Sequence, residues 1–237
     1  MPWCNRIAEG VTLPDGQFHP VAPTHPAHSL PIHGSAALAE WEVVAQAPSS
    51  MTLRAEIDWP APFHYAAEVT WALTGAALSV ALTVTHLGAE AVPYGVGIHP
   101  WFRRTAHTRL QASALRWQRT DARMLPVADV SVAERPEWDF GALRPLPEGL
   151  IDTAFGGWNG TARLEIEPGL ALDISTKPSL SRYQVYSTGA EADFVCLEPI
   201  THPINAHNVS GHPGLALLRT GEQCRLKVTV APDLSAR

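Results

Sequence analysis

Tyr65-Ala-Ala-Glu-Val-Thr-Trp-Ala-Leu-Thr-Gly75-Ala-Ala-Leu-Ser-Val-Ala-Leu-Thr-Val-Thr-His86 alternates apolar and polar positions on both sides of a glycine. Tyr65, Ala67, Val69, Trp71 and Leu73 fall on one face of an extended chain. Leu78, Val80, Leu82 and Val84 form a second such row after the turn around Thr74-Gly75. Successive side chains of a strand point to opposite faces, so a period of two marks a half-buried strand. Two such runs around a short turn predict a β-hairpin. The pattern recurs at Arg163-Leu-Glu-Ile-Glu167, the Pro168-Gly169 turn and Leu170-Ala-Leu-Asp-Ile174. It returns at Arg182-Tyr-Gln-Val-Tyr186 and at Cys224-Arg-Leu-Lys-Val-Thr-Val230, and Leu53–Trp59 reads as a strand closed by Pro60 and Pro62. No amphipathic helix longer than about two turns is visible, and there is no internal repeat. Many short strands with turn signals between them predict an all-β chain, a large antiparallel β-sandwich or barrel. No shift in composition marks a boundary, so residues 1–237 are read as one domain.

Composition narrows the function. Of 237 residues, 46% are hydrophobic, enough for a sizeable core. The formal charge of −6, with no long run of either sign, argues against a nucleic-acid or anionic-membrane partner. Cys4, Cys196 and Cys224 are odd in number and far apart, which fits neither a disulfide framework nor a zinc ribbon and suits a reducing, cytoplasmic setting. No apolar run reaches the ~18 residues of a membrane-spanning helix, and no secretory leader is recognisable. His202, His207 and His212 recur every five residues, a spacing that does not share a helix face, and prolines 203 and 213 break any helix there. Neither the histidines nor the cysteines present a metal-ligand spacing, so no metal and no cofactor is expected.

Two stretches carry candidate chemistry. In Asp193-Phe-Val-Cys-Leu-Glu198-Pro-Ile-Thr-His-Pro-Ile-Asn-Ala-His-Asn208, an apolar strand runs into Glu198 and breaks at Pro199. A carboxylate wedged between an apolar run and a proline is partly desolvated, which raises its pKa and makes it a better base at neutral pH. The plain alternative is a solvated Glu at a strand end. In Pro93-Tyr-Gly-Val-Gly97-Ile-His99-Pro100-Trp-Phe102, the Gly-Val-Gly lacks the third glycine of a dinucleotide loop, and a proline stands where the helix should begin. His99 remains as a candidate proton donor, since imidazole titrates near neutrality; the alternative is a core histidine bonded to a backbone carbonyl.

These stretches resemble motifs of the aldose 1-epimerase (galactose mutarotase) family. Leu197-Glu198-Pro199 with its Thr/Pro/Asn-rich sequel is similar to the L-E-P segment that carries the family's catalytic base. The stretch from Pro93 to Phe102 is similar to G-x-x-H-P-[YF]-F, whose histidine is the general acid; its glycines stand four and two residues before His99, and Trp101 replaces the usual Tyr or Phe. Asn5-Arg6-Ile7 resembles N-R-I, Leu30-Pro-Ile-His33-Gly34 resembles L-x-x-H-G, and Asp152-Thr-Ala-Phe155 matches D-x-x-F. The resemblance spans nearly the whole chain. It implies a galactose mutarotase-like supersandwich, with Glu198 as base and His99 as acid on opposite sides of the hemiacetal, and with Asn5, Arg6, His33 and Asp152 binding the sugar. Taken singly, Arg6 as a surface residue, His33-Gly34 as a turn and Asp152 as an Asx cap are ordinary structural explanations. The expected activity is interconversion of the α and β anomers of a free aldose by ring opening and reclosure. Two alternatives stand beside it: a glycoside hydrolase using Asp152 and Glu198, and a carbohydrate-binding protein without turnover.

Family members normally carry several tens of residues before N-R-I, folded as strands of the sandwich. Here five residues precede Arg6. The resemblance therefore implies a sheet short of its N-terminal strands, an unpaired edge, an exposed apolar face and a loosely tethered Arg6. It also implies that Met1 is internal to a longer product, or that this form is a weak enzyme.

Overall fold

A computed structural model describes residues 1–233. In chain order its strands are β1 (Gly10–Thr12), β2 (Phe18–Pro20), β3 (Glu42–Ala47), β4 (Ser50–Ile57), β5 (Tyr65–Thr74), β6 (Ala77–His86) and β7 (Val92–Tyr94). Then follow β8 (Trp101–Arg103), β9 (Arg109–Gln111), β10 (Arg116–Thr120), β11 (Pro126–Ser131), β12 (Arg144–Pro145) and β13 (Ile151–Gly156). The last are β14 (Thr161–Glu167), β15 (Leu170–Lys177), β16 (Arg182–Ser187), β17 (Phe194–Ile200), β18 (Ala216–Leu218) and β19 (Gln223–Asp233). Helical structure among the described residues is confined to short 3₁₀ turns.

The predicted hairpin is β5–β6, in register from Tyr65 opposite His86 to Thr74 opposite Ala77. Its two-residue turn starts at Gly75 with φ +59°, the sign that a II′ hairpin turn requires at its first position. The hairpin sits inside a nine-stranded sheet of order β12-β9-β14-β15-β19-β6-β5-β4-β3. A six-stranded sheet, β11-β10-β13-β16-β17-β8, lies across from it, and small pairs β1-β2 and β18-β7 complete the set. All of these pairings are antiparallel. One hydrophobic cluster draws on both large sheets: Val69, Leu82, Leu226 and Ile174 from one, and Phe155, Tyr183, Val195 and Leu197 from the other. Phe155 and Tyr183 stack at 5.0 Å between centroids, and the buried Tyr183 hydroxyl donates to the Ala112 carbonyl at 2.9 Å. A buried aromatic hydroxyl needs such a partner, since leaving it unpaired costs as much as a lost hydrogen bond.

Pro199 does not end its strand. β17 runs through it to Ile200, with Tyr183 opposite Pro199 on β16. The ladder tolerates the proline because its carbonyl, and hence its missing N–H, faces the loop before β8, where Ile98 N–H donates to that carbonyl at 3.1 Å. Glu198 therefore lies within a paired strand instead of at a strand end.

At the far edge of the large sheet, every residue of β3 is exposed and, among the described residues, only β4 pairs with it. Val43, Val44 and Leu73 stand in solvent nearby, beside half-buried Trp71, Leu78 and Val80. The start of the chain behaves differently from expectation. Trp3 is wholly buried, and Gly95 N–H donates to the Pro2 carbonyl. Cys4 N–H donates to His202 Nε2 at 3.0 Å, and Asn205 N–H to the Arg6 carbonyl at 3.0 Å. Arg6 is clamped by this mesh, not left hanging, because the loop after β17 supplies an acceptor for Cys4 N–H and a donor for the Arg6 carbonyl.

Candidate active site

Alternation along the six-stranded sheet separates core from site. On β17, Val195 and Leu197 enter the core, while Cys196 and Glu198 point to the opposite face. Register then builds rows across that face. Asp152 on β13 lies opposite Tyr186 on β16, which lies opposite Cys196, which lies opposite Trp101 on β8. The next row is Ala154, Gln184 and Glu198.

Loops roof this floor. Arg6 and Ile32 form an isolated bridge, bringing the N-terminal segment beside the His33 loop. Asn5 and His33 both hold left-handed backbone, with φ of 55° and 60°, which Asn tolerates better than most residues. They secure each other: His33 N–H donates to the Asn5 carbonyl at 3.1 Å, and Asn5 N–H to His33 Nδ1 at 3.2 Å. With Nδ1 accepting, the ring proton of neutral His33 lies on Nε2. Burial, with His99 second, pushes its pKa down to about 3, so His33 is a neutral donor at physiological pH.

The cavity so formed measures about 270 Å³ and is lined by Asn5, Arg6, His33, His99, Asp152 and Glu198, the six residues expected from sequence. It is also lined by Ile32, His28, Trp101 and Tyr186, of which the last was not anticipated at all. His28 comes from the Pro/His-rich loop, which offered no motif. Tyr186 and the supporting Gln184 become visible only once β13, β16 and β17 are in register. A larger concavity of about 520 Å³ lies beside Arg163 and Asp173, which are already ion-paired at 2.9 Å. It brings together no acid–base pair.

Glu198 is buried, and its Oε1 stands 3.2 Å from His99 Nε2. The two groups are side by side instead of flanking the cavity from opposite walls. Burial, reinforced by the negative Asp152 and opposed by Arg6, pushes the Glu198 carboxyl up to about 8. Burial also lowers His99 below its ordinary value. Around neutrality these directions leave the pair one proton, resting on Glu198 beside a neutral His99, and its passage across the 3.2 Å contact gives the carboxylate and imidazolium forms.

Asp152 is held firmly. Gln184 Nε2 donates to its Oδ1 at 2.7 Å, and both terminal nitrogens of Arg6 approach Oδ2 at 3.5 Å. Burial raises its pKa even so, with Arg6 the main opposing influence. Arg6 Nη1 also donates to Asn5 Oδ1 at 3.1 Å.

The histidines of the C-terminal loop are structural. His202 accepts from Cys4 N–H and donates from Nδ1 to the Pro203 carbonyl, His207 donates to the Pro93 carbonyl, and His212 donates to the Thr12 carbonyl. One grouping of donor atoms lay beyond the reach of sequence spacing. His99, Cys196 and Glu198 each bring one donor atom within 4.8 Å of the others. Residues 99 and 196 are nearly a hundred positions apart in sequence, so spacing alone could not reveal it.

The profile of the aldose 1-epimerase family matches residues 1–231. The chain belongs to the aldose 1-epimerase family. Among curated relatives, the uncharacterized proteins YphB and YihR of Escherichia coli K12 are 31% and 30% identical to it. The matches cover 94% and 95% of this chain and 78% and 75% of theirs. The crystal structure of a putative aldose 1-epimerase from E. coli K12 superposes with a TM-score of 0.93 at 29% identity, covering 98% of this chain and 82% of that one. The GalM/aldose epimerase homologue from C. elegans gives a TM-score of 0.82 at 19% identity, covering 98% and 81%, a likeness of fold alone. The two large antiparallel sheets are thus the galactose mutarotase-like fold, and the family implies a sugar as ligand. No helix among the described residues is long and apolar enough to cross a membrane.

Proposed function

We propose that this chain is an aldose 1-epimerase acting on a free aldose, with Glu198 and His99 as its proton-transfer pair. The observation that carries the reading is the buried Glu198 carboxyl 3.2 Å from His99 Nε2 at the wall of a polar cavity. Mutarotation requires a proton to leave the C1 hydroxyl and another to reach the ring oxygen. The ring opens to the aldehyde, the C1–C2 bond turns, and closure returns either anomer. Both oxygens are bonded to C1, so an adjacent acid and base can address them from one edge of the sugar. Glu198 takes the hydroxyl proton and His99 delivers one to the ring oxygen; closure reverses both transfers. His33, as a neutral donor, and Arg6 favour negative charge developing on oxygen, while Asp152 and Asn5 orient hydroxyls.

Among the described residues Arg6 is the only arginine or lysine in the cavity lining, and it is already engaged by Asp152, which favours an unphosphorylated sugar over a sugar phosphate. The hydrolase alternative is disfavoured by the same contacts. Donors from Gln184 and Arg6 withdraw charge from the Asp152 carboxylate, which suits a fixed acceptor for a sugar hydroxyl better than a nucleophile.

Anomer-exchange NMR against a panel of aldoses tests the proposal. Exchange faster than the spontaneous rate for at least one aldose is expected. Binding without exchange would leave a carbohydrate-binding protein, and cleavage of a glycoside a hydrolase. A pH profile of the exchange rate should be bell-shaped. Below the lowered His99 pKa both partners carry protons and no base remains; above about 8 the pair loses its last proton and no acid remains. A rate still rising well above pH 9 would contradict the shared-proton pair.

A further inference from the structure

Cys196 precedes Glu198 by two residues and so shares its face of β17, between the cavity-lining Tyr186 and Trp101 of the neighbouring strands. Its side chain is fully buried, yet its sulfur, the Glu198 carboxylate and a His99 ring nitrogen lie within 4.8 Å of one another. Three bonds of about 2.0–2.3 Å at tetrahedral angles place donor atoms roughly 3.4–3.6 Å apart. The His99–Glu198 separation of 3.2 Å is slightly inside that spacing, and the sulfur needs a shift on the order of 1 Å. A mixed nitrogen, sulfur and oxygen set selects zinc or cobalt(II) over magnesium or calcium, which prefer oxygen alone.

We propose that His99, Cys196 and Glu198 form a three-ligand site for a soft divalent cation such as zinc, with its fourth position open to the sugar cavity. On binding, the Cys196 thiol proton and the proton shared by His99 and Glu198 leave to solvent. The site is not supported as a permanent one. Among the described residues His99 Nδ1 bonds to no other residue, whereas a resident metal's histidine ligand donates its second nitrogen to an outer group. The ion is therefore a reversible inhibitor, one that removes acid and base together. The inhibitory consequence rests on the mutarotase reading; the binding does not.

Cobalt(II) titration followed by absorption tests the site without reference to activity. A sulfur-to-cobalt charge-transfer band should grow, saturate at about one equivalent and vanish when zinc, but not magnesium, is added. Cys196→Ser should abolish the band while Cys4 and Cys224 remain. Glu198→Gln, which keeps the thiol, should weaken cobalt binding at least ~10-fold. No band in the wild type, or a band unchanged in Cys196→Ser, would overturn the assignment, as would wild-type affinity in Glu198→Gln. In protein with measurable exchange activity, zinc should slow exchange and EDTA restore it. Cobalt and zinc binding with no loss of exchange would overturn the inhibitory role alone.

Discussion

Replacing Glu198 by Gln should lower kcat by ~10² or more, and His99→Asn should do the same, because each change removes one partner of a single proton transfer. The amide of Gln fits the space of the carboxylate but cannot take the hydroxyl proton. The double variant should be little worse than the poorer single one, since the second partner has nothing left to exchange with. Stability separates this outcome from misfolding. The folded pKa of Glu198 is raised to about 8 from 4.5, so between those values the folded state holds a proton that the unfolded state releases. Stability from this group is accordingly present at low pH and is lost as pH rises through that window. Gln has no such dependence. Its variant should melt at or above the wild-type temperature, with the advantage growing toward pH 8. Polarimetry showing near wild-type mutarotation in either single variant would remove that residue from the mechanism.

Gly95→Ala should be among the most damaging single substitutions outside the catalytic pair. A Cβ at Gly95 would lie 2.1 Å from His202 Cδ2 and 2.3 Å from its Nε2. His202 is fully buried and has no route to solvent. Its Nε2 is also the acceptor for Cys4 N–H, so displacing the ring leaves a buried donor unpaired and loosens the segment carrying Asn5 and Arg6. Overpacking together with the lost bond should cost about 2–4 kcal/mol, a fall in Tm of roughly 5–15 °C for a chain this long. KM should rise ~10-fold as the sugar-facing wall shifts. Gly149→Ala is the matched control: nothing lies within 4 Å of its Cβ, and it should change little. An unchanged Tm and KM in Gly95→Ala would show that His202 does not anchor that wall.

The legible and illegible parts of this protein divide along a physical line. The β5–β6 hairpin could be read because alternation and turn chemistry are local. Asn5, Arg6, His33, His99, Asp152 and Glu198 could be proposed because short motifs carry them, and all six line one cavity. Tyr186, Gln184 and Cys196 could not, because their proximity depends on β13 pairing with β16 across the intervening β14–β15 hairpin. Proline at 199 misled the reading of β17, since its cost depends on which side of the ladder the missing N–H faces. The tether of Arg6 was misjudged for a similar reason: counting residues to a terminus says nothing about His202 accepting from Cys4 N–H or Asn205 N–H donating to the Arg6 carbonyl.

The two-residue alternation on β17 has a consequence for how this sequence can vary in length. Cys196 and Glu198 are interleaved with Val195 and Leu197, so the catalytic face and the core are written on the same seven residues. Substitutions at one set leave the other in place. An insertion or deletion of a single residue within the strand does not: it would turn Glu198 toward the core and a core valine or leucine toward the sugar. The turn between β16 and β17, residues 188–193, is the place where added or lost residues leave both faces in phase. Length changes in this lineage should accordingly collect in that turn and be purged from the strand, even at positions where nearly any apolar side chain would serve.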